Sequence, residues 1–358
     1  MLWLFAALGF LFLLAALVVF SSVSTEVFPG IPRVSVVTAW GLPLVRMAAD
    51  LTAVITIGFT LVASVLVPSP LRAAKEIATA TAALWMLAVM AKVVFTLSDT
   101  YALELSGVLD PVVVGSFLGQ IELGRVMVCQ LALIPIATVI HARSRGRSGG
   151  SVALALYLVA AAVPAFSGHS GILGFHEVAT ATLMVHIGAV CLWVGGLVAV
   201  GWVVLSGGLL QMPVRPSELN PGELALVRSF STMVIWCVTA VGVTGVVNAL
   251  MRLGSLQQLI STTYGNLLLL KVCGLIGLVL LGVVIRRSLN RDKRIEGVGD
   301  SGDVDPVVSR KAFIRVLVAE TILMALVLAL SVTLARTDPV QSSPVQQSSQ
   351  QTGPTAAE

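Results

Sequence analysis

Charge is what this chain has least of. Asp, Glu, Lys and Arg make up 11% of its 358 residues, against about 25% in a soluble globular domain. Hydrophobic residues reach 57%. So little charge excludes a soluble enzyme. Cysteine is also sparse: Cys129, Cys191, Cys237 and Cys273 stand singly inside apolar runs, which argues against a disulfide framework or a thiolate zinc site. The chain has no P-loop, GxSxG, HExxH or dinucleotide-binding glycine pattern. ATP-driven pumping and hydrolysis therefore lack their usual residues, and the chain reads as transporter-like rather than enzymatic. The net charge of +4 arises from loops between apolar runs, so it reports topology and not a nucleic-acid partner.

What the chain does have is apolar run after apolar run. A membrane-spanning helix needs about 20 mostly apolar residues. Nine stretches qualify, near 2–20, 42–67, 76–97, 121–141, 151–166, 177–205, 228–251, 266–287 and 311–335, with Pro164 ending the fifth. The fold predicted is an all-α polytopic bundle in membrane lipid, with about nine spans. With the N-terminus inside, fifteen Lys and Arg fall in inner loops and only Arg33, Arg252 and Arg336 outside. That bias predicts N-in, C-out. The first run opens Met1-Leu2-Trp3-Leu4, without a basic residue or a clean cleavage site, and is read as an uncleaved helix rather than a signal peptide. The chain divides into an N-terminal four-helix region (1–150), a five-helix region (151–336) and a Ser-, Gln- and Pro-rich tail (337–358). The tail is predicted to be disordered and extracytoplasmic, and 289–310 to be a solvated cytoplasmic linker.

A weak repeat runs through the two halves. Aligning Asp50 with His186 brings Ala53, Val54, Leu61, Val62 and Ala63 onto Ala189, Val190, Leu197, Val198 and Ala199. Gly124 precedes Gln130 by the same six residues that separate Gly265 from Lys271. Four helices per copy make the repeats parallel.

Polar residues inside the runs carry the functional signal, because each ionisable group costs about 2.5–3.5 kcal/mol at mid-membrane. Asp50, Lys92, His186, Lys271 and Asn248, from five different runs, all fall in the outer half. Glu320 lies nearer the middle. Asp50 and Lys92 read as a structural ion pair, with Arg46 one turn from Asp50. His186 and Lys271 have no obvious partner in their own runs and read as functional. The segment FSGHSGILGFHE (166–177) adds His169, His176 and Glu177 at the outer mouth. Three imidazoles at His169, His176 and His186 suit copper, zinc or iron held or passed at one entrance. His141, at an inner helix end, reads as interfacial. Met86, Met90 and Met184 suit Cu(I) by chemistry but read as packing. Gly195 and Gly196, after Trp193, read as a place where a neighbouring helix approaches closely.

Four ordered motifs carry a resemblance: HIGAVCLWVGGL (186–197), RSFSTMVIWCVTAVGVTGVVNAL (228–250), TTYGNLLLLKVCGL (262–275) and RVLVAETILMALVLALSVTLA (315–335). Together they resemble the CopD copper-resistance domain over about 160–335. RMAADLTAVITIGFTLVA (46–63) is similar to actinobacterial relatives in which such a domain precedes a cytochrome oxidase assembly domain. The resemblance implies copper handling at the cytoplasmic membrane, with uptake from a separate CopC-like copper carrier on the outer side. It also leaves open a role beside respiratory oxidase assembly proteins. His186 and Lys271 further resemble the histidine and lysine of HemJ-type proteins, which implies haem b as the alternative cofactor to copper.

Overall fold

The structure, a computed structural model, describes residues 35–67, 71–167, 176–206, 219–253, 257–295 and 310–334. The predicted first run, the tail and His169 lie outside them. Among the described residues there are helices and turns and no strand. Helix α1 (Val36–Leu61) continues into a π-helical turn (Val62–Leu66) and is followed by α2 (Arg72–Tyr101), a short α3 (Pro111–Gln120), α4 (Glu122–Arg143) and α5 (Arg147–Ala162), which ends in a 3-10 turn (Val163–Ser167). The second half contains α6 (His176–Ser206), α7 (Pro221–Arg252), a short α8 (Gln258–Ser261), α9 (Thr263–Ile295) and α10 (Arg310–Leu334). Seven of the described helices are long and apolar enough to cross a membrane. The protein is an all-α polytopic membrane bundle.

Local chemistry sets the helix starts. The Asp110 carboxylate accepts from the Val112 N–H at 2.8 Å with Pro111 at the first helical position, which begins α3. Asn220 and Glu223 form a reciprocal capping box at the start of α7, with bonds of 2.7 and 3.1 Å. Helix α2 ends at Ala102, whose φ of 51° is left-handed, so the chain turns sharply there.

The core is built on α1 and α6. From Ala53 to Ala63, and from Cys191 to Val204, nearly every residue on these two helices is buried. They cross where Gly58 meets Gly195: a Cβ at either glycine would strike the other helix's backbone. Gly195 thus does what its sequence context predicts, and lets a neighbour come to backbone contact. Helix α2 packs along α1, and α7 along α6. Helices α4 with α5 and α9 with α10 complete the two halves.

The order long, long, short, long, long occurs twice, as α1–α5 and α6–α10. The aligned glycines hold the same post in each copy. Gly124 and Gly265 are each the third residue of their helix, and a Cβ on them would strike the Phe117 or Leu259 carbonyl of the preceding short helix. The copies are not packed alike. Helix α2 packs along α4, whereas its counterpart α7 only grazes α9.

Candidate functional site

Position follows from the α1–α6 crossing. Asp50 lies eight residues before Gly58 and His186 nine before Gly195, so they stand about 12 and 14 Å from the contact along their helices. The two helices run side by side in the same direction, as parallel repeats require. Asp50 and His186 therefore occupy one level, toward the N-terminal ends of α1 and α6. Asp50 lies within electrostatic reach of Cys191 on α6, so the two helices share this neighbourhood.

On the α1 side, Lys92 of α2 and Arg46 both act on the Asp50 carboxylate. Among the described residues, however, neither cation comes within the 4 Å of an ion pair with it. The expected structural pair is thus not closed. Lys92 is buried and Asp50 is exposed, at the point where α1 emerges from its buried stretch.

On the α6 side, His186 faces α7. Its Nδ1 lies 2.9 Å from the Thr244 hydroxyl. That hydroxyl donates to the Ala240 carbonyl at 2.5 Å, and the Asn248 amide donates to the Thr244 carbonyl at 2.8 Å. Thr244 is buried, and the ring's Cε1 comes close to where a Cβ on Gly245 would lie, 3.7 Å away. A Cβ there would rest against the imidazole in ordinary van der Waals contact. Lys271 of α9 lies within electrostatic range of His186. The structure therefore brings together His186, Lys271 and, through Thr244, Asn248, from α6, α7 and α9. Sequence reading passed over Thr244, because a threonine in an apolar run carries no charge. Its signal was the register: in an antiparallel hairpin, α7 must present some residue to His186.

The other predicted residues stand apart. Glu320 is buried on α10 beside Gly282, where a Cβ would lie 3.8 Å from its carboxylate. Gly282 is eleven residues beyond Lys271 on α9, about 16 Å along the helix. His176 opens α6 ten residues before His186, about 15 Å away along the axis. Among the described residues, no group of three His, Cys, Asp or Glu side chains converges in a metal-binding arrangement. All four cysteines are free, with Cys191 and Cys237 buried.

His141, near the end of α4, is only 1% exposed, and neither ring nitrogen has a hydrogen-bond partner within bonding geometry. Nearby, the Lys75 ammonium donates to the Ser144 carbonyl just past the end of α4, at 2.5 Å.

Two family models match, in order along the chain. The model for the N-terminal domain of copper resistance protein D-like proteins covers residues 37–175, and that for copper resistance protein D covers 224–334. Between them they take in Asp50, Lys92, Thr244, Asn248, Lys271 and Glu320, while His186 lies in the interval that separates them. Both describe copper-resistance proteins and neither a haem protein. No curated protein and no solved structure matches the chain. With its two halves matched in turn over most of its length, the chain belongs to the CopD family of copper resistance proteins.

Proposed function

We propose that this protein carries copper inward across the cytoplasmic membrane, with the N-terminus on the inner side and His186 as the principal contact for the ion. The observation that supports this most is the level shared by Asp50 and His186 on the two central helices. A carboxylate and an imidazole can each offer a cation a lone pair. Asp50 is exposed and is not tied into an ion pair with Lys92 or Arg46. His176, at the start of α6, and His169 are earlier contacts on the way in, and a separate CopC-like carrier on the outer side delivers the copper.

Copper is cargo on this reading and not a resident cofactor. A transported ion must bind weakly enough to leave again, and a sparse ligand set serves that need. The parallel two-copy architecture is one that membrane carriers use, with their sites near the interface between copies. Copper accumulation in cells expressing the wild type or His186→Ala tests the proposal. Lower accumulation in the variant, at equal membrane abundance, is expected. Equal accumulation overturns it.

A further inference from the structure

We propose that Thr244 is a positioning residue for the copper contact, fixing the His186 ring in the tautomer that leaves Nε2 as the ligating nitrogen. This rests on the reading of His186 given above. The argument follows a single proton. Thr244 Oγ1 and the Ala240 carbonyl oxygen are 2.5 Å apart, and two oxygens come that close only with a hydrogen between them. A hydroxyl has one proton to give, and here it goes to Ala240. Toward His186 Nδ1, 2.9 Å away, the hydroxyl can therefore only accept. Nδ1 must carry a hydrogen and donate it.

The surroundings point the same way. The Val241 carbonyl lies 3.4 Å from the same hydroxyl, and a carbonyl cannot donate a proton to it. The group that α7 presents to Nδ1 is thus a hydroxyl oxygen whose proton is already given to Ala240. In a neutral imidazole with Nδ1–H, the lone pair sits on Nε2. Ligating histidines commonly have their second nitrogen fixed in this way by a neighbouring acceptor. Asn248, bonded to the Thr244 carbonyl, steadies the same turn of α7 from the next one.

The full chain in lipid bilayers, with histidine labelled in nitrogen-15, gives a direct test. In the metal-free wild type, the His186 signals, identified by their loss in His186→Gln, should show a protonated Nδ1 and a bare Nε2. Thr244→Val, of equal size but without the acceptor, should mix the two tautomers, and Thr244→Ser should restore the single form. Cu(I) affinity, measured anaerobically against a chromophoric chelator, should fall about 10–100-fold in Thr244→Val and recover in Thr244→Ser. A wild-type His186 protonated at Nε2, or a Thr244→Val protein that binds Cu(I) as tightly as wild type, overturns the inference. If His186→Gln itself binds Cu(I) unchanged, the copper reading of His186 fails, while the tautomer measurement still decides the role of Thr244.

Discussion

Gly58 of α1 and Gly195 of α6 meet backbone to backbone, and this contact sets the spacing of the two halves. Nothing larger than hydrogen fits between the helices there. Valine at either position must push the central pair apart, at a cost of about 1–3 kcal/mol for overpacking. Gly195→Val is expected to lower the detergent melting temperature and to reduce transport with it. Gly242, whose Cβ position is open, is the control, and Gly242→Ala should leave melting unchanged. Equal melting of Gly195→Val and wild type would show that the helices do not touch there.

The fold was largely legible in the sequence, because lipid dictates a simple code. Each predicted run from 42–67 onward coincides with a long helix, since backbone polar groups in hydrocarbon have no alternative to intrahelical bonds. The short helices α3 and α8 were not read, being too brief to span and hidden by their apolar neighbours. Asp110-Pro111 was the available sign of α3, a cap followed by proline at the first turn. Within the site, the charged residues announced themselves by their cost. Which of them meet did not follow from depth alone: His176 shares α6 with His186 but opens that helix ten residues earlier, and Glu320 sits on α10 beside Gly282, well along α9 from Lys271. Thr244 and the burial of His141 depend on contacts between helices, which one strand of sequence does not display.

The glycine at the short-helix junction should be as intolerant as the one at the crossing. A Cβ on Gly265 would strike the carbonyls of Leu259 and Gln258, so Gly265→Ala must displace the start of α9, which carries Lys271. Gly124→Ala should do the same to α4 against Phe117. Both variants are expected to lose about 1–3 kcal/mol of stability. Thermal unfolding of the two beside Gly242→Ala checks this, and wild-type melting in both would contradict the equivalence of the junctions.

His141 offers a test of a different kind. A buried ring with two unpartnered nitrogens is a liability in a purely structural position. If packing is its whole role, His141→Phe should be neutral or stabilising, with copper accumulation unchanged. Accumulation that falls while melting holds would mark His141 as a functional group at the end of the bundle opposite His186.

Copper and haem separate cleanly by colour. Protein purified from haem-replete cells is expected to show no Soret band. A Soret band that vanishes in His186→Ala would assign His186 to haem and remove it from the copper route.

The central claim is that copper crosses the bilayer by way of His186, and uptake of Cu(I) into proteoliposomes holding the purified full chain tests it most directly. The account predicts time-dependent entry with wild type, and a rate close to that of protein-free vesicles with His186→Ala reconstituted at equal density. Entry at the wild-type rate in His186→Ala would contradict it.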